Sequence, residues 1–193
     1  MINETLLLPQ APIYGHNCTE GRGGRSIDFI CFHITYGSFQ SLLNCLTSSD
    51  PGDYMRSAHI FPNRDGLLYR MVEDKDTAWT CGLLYPRNYL KTNQRSLNIE
   101  MICEEDQIVT DAQYDSVRWI VKKWMLDYHI PRVYPSTGFE GYWSRKNGVR
   151  TYIRPSDDEL AEFRGLLAHS ALTKNRAGDP GKDHFDITRL LGE

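Results

Sequence analysis

Residues 27–34 read IDFICFHI, an almost unbroken apolar run that places a histidine, His33, near its end. A run so rich in isoleucine and phenylalanine predicts a β-strand that is covered on both faces. A second run, LNIEMIC at 97–103, predicts another strand with one carboxylate, Glu100, in its middle. Because burying an unpaired charge in a strand is costly, Glu100 is a candidate functional residue, the alternative being a strand position that faces solvent.

Shorter signals add strands to this interior. An Asp-Gly pair at 65–66 lies between apolar runs at 59–61 and 67–69, and this pattern predicts an antiparallel hairpin. Residues 166–169, LLAH, predict a last strand that ends on a second histidine.

Helical patterns alternate with these strands. Residues 38–46 carry apolar side chains at helical spacing. The main helix is expected to continue to Tyr128, before Pro131, and a shorter helix to begin near residue 157. Each of the last two helices is predicted to begin at a capping box, which pairs Thr110 with Gln113 and Ser156 with Glu159.

The composition is that of a globular protein in one domain. The 193 residues include 22 Lys plus Arg and 25 Asp plus Glu, a net charge of -3, so no broad basic field is present to bind nucleic acid. We expect a single domain over 1–193, with an irregular arm rich in glycine and proline at 1–25 and an insertion at 132–155. Five cysteines, an odd number without a C-x-x-C pair, argue against a disulfide framework or a four-cysteine zinc site.

The sequence also carries expectations about location. No apolar run approaches the roughly 20 residues that span a bilayer, so no membrane insertion is expected. The first ten residues contain no lysine or arginine, which predicts synthesis in the cytoplasm without a signal peptide.

Of the six histidines, two stand at positions that favour function. No H-E-x-x-H motif is present, and a lone histidine is more often structural. His33 and His169, however, each lie at the carboxyl end of an apolar run, where a sheet holds side chains rigidly toward one edge. Asp179 follows His169 by ten residues, in an Asp-Pro-Gly sequence.

Five segments, taken in order, resemble a known family. They are FHIT at 32–35, SAHIFPNRDGLLYRMV at 57–72, DTAWTCG at 76–82, SLNIE at 96–100, and His169 followed by Asp179-Pro-Gly. The ordered set is similar to the zinc-dependent N-acetylmuramoyl-L-alanine amidases of the phage-lysozyme and peptidoglycan-recognition type. This resemblance implies an α/β (α+β) fold in a single domain, with a central mixed sheet flanked by helices and a zinc site in a groove at the sheet face.

The resemblance also implies the site. One zinc ion would be held by His33, His169 and Asp179, a donor set that leaves a position open for water. Glu100 matches the acid/base of the family, which would pass a proton from the attacking water to the departing amine. If one of these three does not bind the ion, His59 or His184 is next in line, although the family pattern does not use His59 as a ligand and His184 ranks below Asp179.

The sequence departs from the family pattern at one position near the site. The bacterial amidases carry a lysine two residues before the third ligand, where its charge stabilises the oxyanion, and this chain has Ala177 there. The nearest cations are Arg176 and Lys174, so either is a candidate replacement.

Further residues are candidates for substrate binding. Trp79, in AWTCG, matches a position that borders the family's groove, although an aromatic there also suits core packing. The insertion at 132–155 is basic and aromatic, so its Arg145, Lys146 and Arg150 are expected either to contact substrate or to decorate the sheet.

The activity implied is hydrolysis of the amide between N-acetylmuramic acid and L-alanine, in peptidoglycan or muropeptides, by zinc-activated water. One alternative is a muropeptide-binding module of the same fold that does not cut, and another is a zinc hydrolase with a different amide substrate. The three ligands and Glu100 favour the enzyme, whereas Ala177 favours the binding module. A phage lysin, a delivered toxin and a cytoplasmic recycling enzyme are all compatible with the sequence.

Overall fold

The computed structural model of the protein describes residues 7–8, 17–47, 56–83, 86–104, 107–181 and 183–192. The strands in these ranges are β1 (Leu7–Leu8), β2 (Cys18–Thr19), β3 (Phe29–Tyr36), β4 (Ile60–Pro62), β5 (Leu68–Arg70), β6 (Thr77–Ala78), β7 (Ser96–Cys103), β8 (Tyr142–Lys146), β9 (Val149–Ile153) and β10 (Gly165–Ala168). The α-helices are α1 (Phe39–Thr47), α2 (Thr92–Arg95), α3 (Asp111–Asp127), α4 (Asp157–Glu162), α5 (His169–Leu172) and α6 (Ile187–Leu191), and 3₁₀ turns span Arg87–Leu90 and Lys174–Arg176.

A six-stranded mixed sheet forms the centre, in the order β1-β5-β4-β7-β3-β10. Strands β4, β7, β3 and β10 are parallel, β5 is antiparallel to β4, and β1 pairs in parallel with β5. Two smaller sheets pair β2 with β6 and β8 with β9. The predicted fold class, a central mixed sheet flanked by helices, is confirmed.

The two faces of the sheet have different neighbours. Apolar residues of β7, such as Leu97 and Ile99, join the main core with Val117 and Trp124 of α3. On the opposite face, Phe29, Cys31 and Leu167 pack with apolar residues of α4 and α5. Helix α3 begins at the predicted capping box, since the Gln113 N–H donates to Thr110 Oγ1 at 3.2 Å and the Thr110 N–H donates to Gln113 Oε1 at 3.0 Å.

The register of β3 and β7 decides which polar residues meet. His33 is the direct partner of Glu100 in this parallel pair. Because side chains alternate along a strand, Ser96, Asn98 and Glu100 lie on the face away from α3, together with His33. The strand pairing therefore gathers the polar residues on one side of the sheet.

Most elements agree with the sequence predictions. The hairpin predicted around 65–66 is β4–β5, the helix predicted at 38–46 is α1, and the insertion contains the hairpin β8–β9. Strand β10 ends at Ala168, so the second histidine begins α5 instead of ending the strand. The predicted irregular arm contains two short strands, β1 and β2, while its residues 1–6 and 9–16 lie outside the described ranges.

The second capping box is only half formed, which corrects a prediction. Ser156 Oγ accepts from the Glu159 N–H at 3.1 Å, as a helix cap does. The Glu159 carboxylate, however, accepts from the Ser136 hydroxyl at 2.7 Å and from its N–H. Ser136 competes for the carboxylate, and the contact joins the beginning of the insertion to α4.

The hairpin β8–β9 is attached to α5 at one residue, Ser170. The Tyr152 hydroxyl donates to the Ser170 carbonyl at 2.8 Å, and the Gly141 N–H donates to Ser170 Oγ at 3.3 Å. A Cβ atom at Gly141 would lie 2.3 Å from the same carbonyl oxygen, so a side chain there would collide with the backbone of α5. No helix in the described ranges has the length and apolar character needed to cross a membrane.

Candidate metal centre

The three predicted ligands converge beside the carboxyl ends of β3 and β10. His33 Nδ1 lies 3.0 Å from His169 Nδ1, which in turn lies 3.1 Å from Asp179 Oδ2. His33 Nδ1 and Asp179 Oδ2 are 3.9 Å apart. Tetrahedral zinc with bonds of about 2.0–2.1 Å would place its donors roughly 3.3 Å apart, so this donor set fits a single ion.

Each ligand is held by a different part of the fold. His33 is fixed on β3, where its Nε2 atom lies 3.1 Å from Asn98 Oδ1. His169 is the first residue of α5, directly after β10. Asp179 comes from a loop, but its Oδ1 atom accepts from the Ile34 N–H at 2.8 Å and its carbonyl accepts from the Ser170 N–H at 2.9 Å. The loop ligand is therefore tied to the strand and to the helix that carry the other two.

The charge states of the cluster suit metal binding. Burial, followed by the neighbouring His169, lowers the pKa of His33 to about 3, so its imidazole is neutral. Burial acts to raise the pKa of Asp179, but the hydrogen bond with His169 and the adjacent imidazoles outweigh it and hold that pKa below its ordinary value. A neutral imidazole and an ionised carboxylate are the forms that bind zinc.

Glu100 lies in the same pocket as the ligands. A pocket of about 310 Å³ is lined by Glu100 together with His33, His169 and Asp179. Burial, and then the negative charge of Asp179, raise the pKa of Glu100 to about 8, against the opposing effect of nearby arginines. This carboxyl group can therefore gain and lose a proton close to neutral pH.

Two arginines supply positive charge to the pocket. Arg176 lines it and acts to lower the pKa of both Glu100 and His33. Arg56 also lines it and acts on Glu100 in the same direction. Lys174, the other predicted cation, is exposed and does not line the pocket. Sequence reasoning missed Arg56, whose only signal is its place directly before the SAH segment.

A second, larger pocket of about 700 Å³ adjoins the first. The two share part of their lining, and the shared residues are Arg56, Thr80, His169 and Arg176. Trp79 and Gly82 line the larger pocket, and the Trp79 indole N–H donates to Thr19 Oγ1 at 2.9 Å. Trp79 thus borders open space next to the ligands instead of filling the core.

The basic residues of the insertion lie elsewhere. Arg145, Lys146 and Arg150 are exposed on the hairpin β8–β9, and none of them lines either pocket. The Arg150 guanidinium lies over the Trp143 ring, 4.4 Å from its centroid. Contact of these three residues with substrate stays a prediction.

The other candidate ligands have different partners. His59 is fully buried and hydrogen bonds within the sheet, and His184 Nδ1 lies 2.7 Å from the Gln107 carbonyl oxygen. Within the described ranges, a second close set of possible metal donors joins Cys31 and Cys81 to His33. Both cysteines are fully buried and neither lines the 310 Å³ pocket, so that set has no access for substrate.

Two imidazoles and a carboxylate at an open pocket, with a glutamate beside them, form a centre of the kind used by metal-dependent hydrolases. Over residues 23–182 the chain matches the profile of the N-acetylmuramoyl-L-alanine amidases, and it belongs to that family. The protein is therefore a hydrolase that acts on peptidoglycan, and the binding-module alternative is not favoured.

Solved structures share this fold. AmpD, in a selenomethionine derivative, is 18% identical with a TM-score of 0.61, over 100% of this chain and 98% of that one. AmiD from E. coli, in complex with anhydro-N-acetylmuramic acid-L-Ala-D-gamma-Glu-L-Lys, is 18% identical with a TM-score of 0.59, over 91% and 65%. The endolysin LysCS from Clostridium intestinale URNW is 11% identical with a TM-score of 0.57, over 96% and 93%. No curated protein matches the chain by sequence.

Proposed function

We propose that the enzyme hydrolyses the amide between the lactoyl group of N-acetylmuramic acid and L-alanine, with one zinc ion at His33, His169 and Asp179. The observation that carries this proposal is the meeting of three metal donors and Glu100 in one open pocket. Zinc bound there would supply a Lewis acid that polarises the scissile carbonyl and lowers the pKa of water.

Glu100 is proposed to move the proton. It lies beside His33 in the strand register and faces the pocket, where an attacking water would meet the substrate carbonyl. Its carboxylate takes the proton from that water and then donates it to the nitrogen of the departing L-alanine. A group whose pKa is close to the working pH serves in both directions.

Arg176 is proposed to stabilise the negative charge that develops on the carbonyl oxygen. It lines both pockets, one residue from the position that carries lysine in the bacterial relatives. Arg56 lines the same two pockets and adds a second positive charge. Charges fixed before the reaction favour the transition state without needing to reorganise.

The two pockets suggest how the substrate lies. The scissile amide would sit where they join, near His169, with the sugar or the peptide extending along Trp79 in the larger pocket. An aromatic side chain at that place can stack on a sugar face or form a wall for the peptide.

Turnover of a defined muropeptide tests the proposal. Purified protein loaded with zinc should release the free stem peptide, beginning with L-alanine, from a soluble muropeptide followed by mass spectrometry. The matched control is Glu100→Gln, which should leave the substrate intact. An intact substrate with zinc-loaded wild type, or cleavage at a different amide, would overturn the assignment.

The site of action is a separate part of the proposal. A cytoplasmic recycling enzyme would prefer soluble muropeptides, whereas a phage lysin or a delivered toxin would cleave intact cell walls. Comparing turnover of soluble muropeptides and purified sacculi by the same preparation distinguishes these roles.

A further inference from the structure

A buried polar network lies behind the first ligand. The His33 ring points its Nδ1 atom at the other ligands, while its Nε2 atom lies 3.1 Å from the side-chain oxygen of Asn98. Asn98 is on β7, two residues before Glu100, and is fully buried. Its side chain lies on the opposite side of the imidazole from the candidate metal position.

The orientation of the Asn98 amide is determined by its neighbours. The Asn98 backbone N–H donates to His59 Nδ1 at 3.0 Å, so that nitrogen is an acceptor and carries no proton. The Asn98 side-chain NH₂ faces this same acceptor at 3.4 Å and donates to Ser96 Oγ at 2.9 Å. A flipped amide would place its oxygen against the lone pair of His59, so the oxygen is directed at His33.

His59 is held on both sides of its ring. Its Nε2 atom lies 2.8 Å from Arg22 Nη2 and 3.2 Å from the Asp76 carbonyl oxygen, while its Nδ1 atom accepts from the Asn98 backbone N–H. Burial, and then the Arg22 guanidinium, keep the pKa of His59 well below its ordinary value, and the ring is neutral. His59 thus contributes to the site by orienting Asn98, without being one of the proposed ligands.

We propose that Asn98, oriented by Ser96 and His59, is a positioning residue that keeps the proton of His33 on Nε2 and so presents the Nδ1 lone pair to the metal. The inference rests on the proposed zinc site and extends it. A neutral imidazole has one N–H, and the Asn98 oxygen can only accept, so the hydrogen bond determines the tautomer. Partners of this kind orient a metal-binding histidine and raise the affinity for the ion.

The tautomer can be measured directly in the metal-free wild type. Long-range ¹H–¹⁵N correlation NMR should show that Nε2 of His33 is protonated and Nδ1 is not. The opposite tautomer would overturn the inference. This measurement requires no substitution, so a variant that fails to fold cannot obscure it.

Substitution of Asn98 tests the effect on metal binding. Asn98→Leu keeps the volume but removes the acceptor, so zinc affinity should fall roughly 10–100-fold, and the visible spectrum of the cobalt-loaded protein should change. Asn98→Asp keeps an acceptor for the His33 N–H, so zinc affinity should stay within about threefold of wild type. The oxygen that replaces the NH₂ group faces the His59 lone pair, so the melting temperature should fall.

A control separates positioning from general loss of structure. Gln113→Leu removes another fully buried amide, one that donates to the carbonyls of Pro62 and Ile102 close to α3. It should lower the melting temperature without changing zinc affinity. If Asn98→Leu binds zinc as tightly as the wild type and shows the same cobalt spectrum, the role of Asn98 is overturned but the zinc site is not. If the wild type binds no zinc, the zinc site is overturned as well.

Discussion

The floor of the pocket, by which we mean His33 and the buried residues Asn98 and His59 behind it, differs from the hairpin β8–β9 in burial and in hydrogen bonding. On the floor, His33, Asn98 and His59 are almost wholly buried, and each ring nitrogen or amide group has a partner. On the hairpin, Tyr142 is 51% exposed and Trp143 is 41% exposed. Its cations Arg145, Lys146 and Arg150 form no ion pair with any residue that the structure describes. Chemistry needs donors held within a fraction of an ångström, whereas capture of a large polymer needs exposed groups that adapt.

The strongest test of the floor is removal of a ligand. His33→Ala or His169→Ala should abolish stoichiometric zinc, because each variant leaves two donors where three are needed for tight binding. Elemental analysis of purified protein should show about one zinc per chain in wild type and almost none in the variants. Full occupancy in His169→Ala would move the site to other donors, with Cys31, Cys81 and His33 first in line, and full occupancy in His33→Ala would exclude both of these donor sets.

Substitution of Glu100 should lower the catalytic rate and leave zinc binding unchanged. Glu100→Gln keeps the size of the side chain and removes its base, so we expect kcat to fall at least about 100-fold with zinc still bound. Steady-state kinetics and metal analysis on the same preparation measure both properties. Near-normal turnover would exclude Glu100 as the acid/base.

The third effect concerns positive charge at the rim of the pocket. If Arg176 stabilises the oxyanion, Arg176→Ala should lower kcat by on the order of 100-fold, since one such donor is worth about 3 kcal/mol. Ala177→Lys should then be neutral or harmful, because the charge is already supplied. A large gain in Ala177→Lys, with no loss in Arg176→Ala, would show that the natural protein lacks an effective oxyanion cation.

The hairpin should matter less, and for binding only. Replacing Arg145, Lys146 and Arg150 by Ala should raise KM for peptide-bearing substrates by roughly fivefold, since exposed charges contribute up to about 1 kcal/mol each. The melting temperature should not fall. The control replaces three exposed cations elsewhere, Arg25, Lys75 and Lys122, by Ala. An unchanged KM, or an equal rise in the control, would mean that the insertion does not bind substrate.

The smallest effect is on stability and depends on pH. Burial raises the pKa of Glu100 from 4.5 to about 8, so between these values the folded chain binds more protons than the unfolded chain. Stability contributed by this group is therefore lost as pH rises through that window. In the metal-free protein, Glu100→Gln should raise the melting temperature by a few degrees at about pH 8 and much less at about pH 5. Exposed Glu73→Gln is the control, and an equal gain at both pH values would contradict the shift.

Local patterns in the sequence predicted much of the floor. The apolar runs at 27–34 and 97–103 are β3 and β7, and the alternation of polar and apolar residues in SLNIEMIC matches the two faces of β7. The likeness of the ordered segments to the amidases supplied the ligand set and Glu100. These are patterns of a few neighbouring residues, which sequence reasoning detects well.

Residues that depend on distant pairing were missed. Asn98 meets His33 across 65 positions, and Arg56 reaches the pocket from a stretch with no pattern of its own. The half-formed box at Ser156 failed for the same reason, because Ser136 competes for Glu159 across 23 positions. No local rule contains these partners, since only the assembled sheet and insertion bring them together.

Ser170 divides the insertion into a base that contacts α5 and a tip that does not. Ser170 directly follows the ligand His169. Its carbonyl and hydroxyl oxygens accept from the base of the hairpin, and its N–H donates to the carbonyl of the ligand Asp179. The base of the hairpin is thus a brace for two ligands, while the tip at Asn147 and Gly148 touches neither pocket. Shortening, extending or exchanging the tip should therefore leave both ligands braced, provided that Gly141 and Tyr152 are kept. Within the insertion, sequence changes should therefore be tolerated at the tip and restricted at the base.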